Sequence, residues 1–249
     1  MTKILHLRKF NRWIFLIIIK SGSSICSRHK KKPLFTKTFV PAPRTSVDGL
    51  VFEKETTIIS TDRGYMLTNI SNTLRKYAKG WLILVLFLLD GLFIGVVMPG
   101  LSAHMDNYAP GVGPIDLLFF YTPEKAYQMV AAYGEQGRAV YRTGELTLDI
   151  IYPIVYTLFF SLFITWLFQR GFAAESRLQR LNVVPFGAWL FDLLENLGIV
   201  VMLSIYPSTP ALLAWVSSVF TLVKWLFAGA SMILIVIGIV AAISKALKR

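Results

Sequence analysis

The chain has 249 residues, of which 55% are hydrophobic and only 16% charged, with a mean hydropathy of +0.57. That balance excludes an ordinary soluble domain and points to an integral membrane protein. The formal net charge of +12 sits mostly in the N-terminal tail and in clusters beside the apolar runs, so membrane topology explains it better than a nucleic-acid surface, and no nucleic-acid partner is expected.

Residues 1–65 differ in character from the rest. Residues 1–50 hold eleven Lys or Arg and a single acid, Asp48, around the run WIFLIII, which is too short to cross a bilayer. No packed domain follows from this composition, and the segment is expected to stay outside the fold as a basic, disordered tail. Three readings stay open: an acid-poor targeting segment, a basic arm on the membrane surface, or an upstream extension with Met66 as the initiator.

From residue 66 onward the pattern predicts an all-α, polytopic four-helix transmembrane bundle. The first span is Trp81–Leu101, preceded by Arg75, Lys76 and Lys79. The loop that follows, Ser102–Thr147, predicts a short helix at about 123–133: Thr122 suits the cap, Pro123 the first helical position, Glu124 the positive helix end and Gly134 the stop. Ala126, Met129, Val130 and Tyr133 share one face, so this helix lies on the membrane surface or caps the bundle. A second short helix from about Glu135 leads towards span two, and IDLLFF at 115–120 dips into the interface. Span two is Leu148–Phe168, span three Leu181–Tyr206 and span four Leu212–Ile243, each long enough for a ~30 Å hydrocarbon core. The fourth is over-long and must tilt or begin in the interface. Arg170, Arg177 and Arg180 follow span two, and Lys245, Lys248 and Arg249 follow span four, which puts both termini on the cytoplasmic side.

The chemistry is bounded by absence. The one cysteine, Cys26, lies in the tail with His6 and His29, and His104 stands alone in the outer loop. No disulfide framework, His/Cys metal site, phosphate loop, dinucleotide loop or serine-nucleophile motif can be built, and no cofactor is expected. Carboxylate, tyrosine and lysine chemistry remains.

Asp90, Asp192, Glu195 and Lys224 all fall near mid-depth when counted along their spans at about 1.5 Å per residue. Asp192, Glu195 and Asn196 share a face at i, i+3 and i+4, and Lys224 is the cation that reaches that depth. A carboxylate at the bilayer centre costs at least ~2.5 kcal/mol and needs a partner, so an Asp/Glu–Lys cluster inside the bundle is expected. A second stripe, Asp149, Tyr152 and Tyr156 in LDIIYPIVY, runs from the outer end of span two towards that cluster as a possible access path; the competing reading is an aromatic belt with a proline kink. Pro153 lacks an N–H and so frees a backbone carbonyl one turn earlier to accept another hydrogen bond. Gly91, Gly95 and Gly187 are expected to permit close helix contacts.

Taken in order, YTPEKAY, D-x2-YP-x2-Y, FDLLEN and TLVKW resemble a group of bacterial four-span membrane proteins without known activity, over about residues 80–243. The resemblance implies the architecture and a bacterial inner membrane, and no reaction. In topology alone the chain is also similar to the four-helix core of emopamil-binding-type sterol isomerases and their ligand-binding relatives. Those place acids in a membrane cavity, as Asp90, Glu195 and Asp192 would be here, but no motif matches and no residue role carries over. Two functions stay open. One is a membrane pocket for a lipid-like or cationic small molecule, with or without acid–base turnover. The other is a transport or assembly subunit in which the cluster relays protons or locks helices, as a homo-oligomer or with a membrane-protein partner. Membrane lipids are partners in either.

Overall fold

A computed structural model describes the backbone of residues 55–248 and the side chains from Met66 to Lys248. The readings of the tail that rest on residues 1–54 lie outside the described residues. The chain divides into Met1–Arg63 and Gly64–Arg249, and the account below is of the second unit. Helix α1 (Glu55–Tyr77) begins before that division; the further helices are α2 (Gly80–Leu92), α3 (Met98–Asp106), α4 (Pro123–Ala132), α5 (Gly134–Glu145), α6 (Leu148–Gly171), α7 (Pro185–Ile205) and α8 (Ala211–Leu247). The boundary expected at residues 65 and 66 falls inside α1.

Four helical stretches are long and apolar enough to cross a membrane: Gly80–Asp106, Gly134–Gly171, Arg177–Ile205 and Ala211–Leu247. The burial pattern of α8 says what surrounds them. Its buried positions are small or polar, among them Ala214, Ser217, Ser218, Thr221, Lys224, Ser231 and Gly238, whereas Leu212, Val219, Leu226, Ile233 and Val236 are exposed. In water such an apolar surface would be a large unfavourable patch; in a bilayer it is the face that meets lipid. The protein is an integral membrane protein with an all-α, four-helix bundle.

Spans two, three and four (α6, α7 and α8) pack on one another, and α2 lies chiefly against α6. Between α2 and α3 the helix widens to a π-turn at Phe93–Val97, where the N–H of Met98 donates to the carbonyl of Phe93, five residues back. Pro99 is the cause at hand, since it has no N–H for the carbonyl one turn earlier. At 37 residues α8 runs about 55 Å, well beyond the hydrocarbon core, as its sequence length implied.

The outer loop is packed. Thr122 caps α4, its Oγ1 accepting from the N–H of Lys125 at 3.3 Å, and Pro123 opens the helix. Glu124 sits in the first turn, where hydrogen bonding from its own backbone N–H and from Thr122 holds its carboxyl below the usual glutamate range. Gly134 breaks α4 from α5 with φ at +62°, a left-handed conformation that favours glycine. Ala126, Met129, Val130 and Tyr133 are all buried, in one apolar cluster with Ile199, Met202 and Leu203 of α7 and Ala214 of α8. Of the two expected placements, the helix takes the cap. Burial among these side chains pushes the Tyr121 hydroxyl above the usual tyrosine range.

The glycines divide differently from expectation. A Cβ on Gly187 would lie 2.4 Å from the Phe227 ring, and one on Gly198 would lie 1.9 Å from Ser217 Oγ, so α7 and α8 are in close approach at both. Gly91 in α2 and Gly95 in the π-turn after it have nothing within 4 Å and support no helix contact. Span three also begins differently, as a 3-10 turn at Arg177–Val183 that gives way to α-helix at Pro185, whose fixed φ suits a first helical position.

Candidate functional site

The midplane polar residues of α7 and α8 come together. Lys224 Nζ lies 2.6 Å from Glu195 Oε2 and 3.5 Å from Asp192 Oδ1. Each carboxylate has a second partner: Thr221 Oγ1 donates to Glu195 Oε1 at 2.7 Å, and Tyr156 OH donates to Asp192 Oδ2 at 2.8 Å. Lys224 also donates to the carbonyl of Asp116 at 3.2 Å. The Glu195 side chain is 0% exposed and those of Lys224 and Asp192 11% and 12%, so these charges lie in a medium that screens poorly.

That placement follows from helix geometry. On α8, Ser217, Thr221 and Lys224 stand at i, i+4 and i+7 and make one polar stripe on an apolar helix. Asp192, Glu195 and Asn196 make the matching stripe on α7, and all three are buried. Asn196 faces a different neighbour. Pro153 leaves the Asp149 carbonyl without its helical donor, and Asn196 Nδ2 donates to it at 2.9 Å. The carbonyl freed in the sequence is thus used to tie α7 to α6.

The Asp149, Tyr152, Tyr156 stripe is continuous with the cluster. The Tyr152 and Tyr156 rings meet edge to face at 5.4 Å, and Tyr156 reaches Asp192. Tyr156 is therefore drawn inward, and the aromatic-belt reading does not describe it. Asp149 contributes its carbonyl to Asn196.

Asp90 shares the depth but not the company. Among the described residues it has no ion pair or hydrogen bond with Lys224; it lies within electrostatic reach of Tyr152, whose ring stacks on Phe93 at 5.3 Å. Asp90 is buried, and its Oδ1 has no hydrogen-bond partner. A buried polar atom without a partner is costly and calls for an explanation.

Several participants were not singled out in the sequence. The segment Ile115–Leu118 enters the bundle from outside: besides the Asp116 carbonyl on Lys224, the Leu118 carbonyl accepts from Trp225 Nε1 at 3.2 Å. Nearby the N–H of Tyr121 donates to Ser218 Oγ at 2.9 Å. The Asp116 side chain takes a short hydrogen bond from Tyr141 OH, which in turn accepts from the N–H of Ile115 at 3.0 Å. Glu145 is 1% exposed with neither carboxyl oxygen hydrogen-bonded, in reach of Asp116, Asp149, Glu195 and Lys224. Acids outnumber the cation in this network. Among the described residues no group of three His, Cys, Asp or Glu is placed to hold a metal ion.

Among the described residues, cavities lie at both ends of the bundle. One of about 390 Å³ is lined by Leu101, His104, Val140, Gly144, Thr147 and neighbours at the outer end. The other, about 350 Å³, is lined by Gln169, Arg170, Ala242, Lys245 and Ala246 at the opposite end. Neither is lined by the Lys224 cluster. Comparison with protein-family models, with curated proteins and with solved structures gives no match for the chain.

Proposed function

We propose that this membrane protein binds a cationic, lipid-like amphiphile at Asp90, at the Tyr152 end of the span-two stripe. One observation carries the reading: a buried carboxylate oxygen with no hydrogen-bond partner, within electrostatic reach of Tyr152, whose ring stacks on Phe93. Carboxylate and aromatic faces together suit an amine or quaternary ammonium head, the acid by charge and the rings by their negative faces. Phe87 and Ile94, exposed about one turn to either side of Asp90, offer apolar surface for the tail. The π-turn immediately after Asp90 supports the same place, since such turns recur at functional sites. Lys224 is less suited to a ligand, because Glu195, Asp192 and the Asp116 carbonyl already surround it.

We place the protein in a bacterial inner membrane with its C-terminus cytoplasmic, by the resemblance of its motifs and by the basic residues gathered where α6 and α8 end. Native mass spectrometry of the purified protein tests the ligand. Wild type should carry a cationic amphiphile that Asp90→Asn loses with little change in fold, whereas Lys224→Met should harm both. An empty wild type, or equal retention by Asp90→Asn, would overturn the site.

A second reading has its own support. The Lys224 cluster joins α6, α7, α8 and the outer loop through direct hydrogen bonds, the arrangement expected of a lock between helices in a transport or assembly subunit.

A further inference from the structure

Arg170 and Lys245 come from different spans, α6 and α8, and converge on one cavity of about 350 Å³ whose other lining residues are Gln169, Ala242 and Ala246. The crevice has a structural cause. A Cβ on Gly171 would lie 2.7 Å from that of Ala241, so the two helices nearly touch there. Next to it, Ala242 and Ala246 stand at i and i+4 on α8 and present only methyl groups, which leaves space where longer side chains would fill it.

The two cations are held at the rim of this space without being neutralised. The Arg170 guanidinium lies 3.5 Å from the centroid of the Trp166 ring, and its Nη1 donates to the Trp166 carbonyl at 3.2 Å. Lys245 Nζ donates to the Phe172 carbonyl at 3.4 Å, which leaves further N–H donors of the ammonium free. Among the described residues neither cation is in a salt bridge, and no acid lines the cavity. Ring stacking fixes the plane of the guanidinium and so lowers the entropy lost when it grips a planar or tetrahedral anion.

Depth decides the class of anion. The cavity sits at the last turns of two spans, where hydrocarbon gives way to headgroups, and one turn before it α8 exposes Ile239, with Ile243 and Val236 on the adjoining flank. An anion held there with an acyl chain along that face satisfies the cations and covers the apolar surface together. A soluble phosphate does only the first. We propose that this cavity is a headgroup site for an anionic glycerophospholipid, with Arg170 and Lys245 on the phosphate.

The test uses the full chain in detergent, with phosphatidylglycerol, phosphatidylcholine and inorganic phosphate as separate probes, read by native mass spectrometry and by the shift in melting temperature. Phosphatidylglycerol should bind wild type in preference to phosphatidylcholine, and the preference should fall roughly fivefold for each cation removed in Arg170→Gln and Lys245→Gln. Arg177→Gln with Arg180→Gln removes the same charge from the same end without touching the lining, and should leave the preference intact. Lys245→Arg, which keeps the charge, should bind like wild type and controls for damage to the fold. An equal loss in the Arg177/Arg180 pair would mean general attraction to a basic surface and overturn the site. Equal stabilisation by inorganic phosphate would assign the cavity to a soluble anion and overturn the lipid.

Discussion

Lys224→Met removes the one cation from a pair of carboxylates while keeping the length of the side chain. Glu195 would retain Thr221 but lose its 2.6 Å partner in a fully buried position. Asp192 would retain Tyr156 and lose only a 3.5 Å contact. Stripping one partner from a buried ion pair costs about 3–5 kcal/mol, because the remaining charge is unpaired. The geometry divides that loss unequally, with a coupling on the order of 2–3 kcal/mol for Lys224 with Glu195 and about 1 kcal/mol for Lys224 with Asp192. The assay is reversible unfolding in detergent or bicelles with two double-mutant cycles, Lys224→Met combined with Glu195→Gln and with Asp192→Asn. Glu195→Gln should rescue part of the loss and Asp192→Asn less. Strict additivity in the Glu195 cycle would refute the pairing, and a larger coupling in the Asp192 cycle would refute the ranking.

Asn196→Leu should cost about 1–2 kcal/mol by orphaning the Asp149 carbonyl, and the loss should shrink in a Pro153→Ala background, where the helix supplies its own donor; equal losses in both backgrounds would refute that origin. Gly187→Ala should destabilise by about 1–3 kcal/mol through the clash with Phe227, while Gly91→Ala, facing open space, should be neutral or stabilising in the same melt. Glu124→Gln should flatten the acid limb of the stability profile. The native carboxyl titrates below its unfolded value, so its contribution is complete above the usual glutamate range and disappears as the pH falls through the lowered native value. Parallel acid limbs for Glu124→Gln and wild type would contradict this.

The four spans were legible because lipid imposes length and apolarity on any helix that crosses it, and α4 was legible because Thr122, Pro123 and Gly134 act locally. Depth was legible too, since it needs only a count of residues. Depth is one coordinate of three, however. Asp90 has the depth of Lys224, and only the packing of α2 against α6 decides that it stands beside Tyr152 instead. Thr221 was readable as the i−3 neighbour of Lys224, a signal present in the sequence and not taken up. The approach of Asp116 to Lys224 joins residues 108 apart, and no local pattern foretells a contact set by how a loop folds back onto helices not yet specified.

The ion pair between α7 and α8 bears on how the protein is made. Asp192 and Glu195 leave the ribosome well before Lys224, so α7 on its own would present two unneutralised acids to the bilayer, at a cost of at least ~2.5 kcal/mol each. A turn of only a few residues, Tyr206–Pro210, joins the two helices. Lys224 reaches both acids only when the two helices enter as a hairpin, so the insertion machinery has reason to hold α7 at the lateral gate until α8 arrives. The order of synthesis therefore makes the last span a condition for the third, and a chain truncated before Lys224 should leave α7 stalled at the membrane surface.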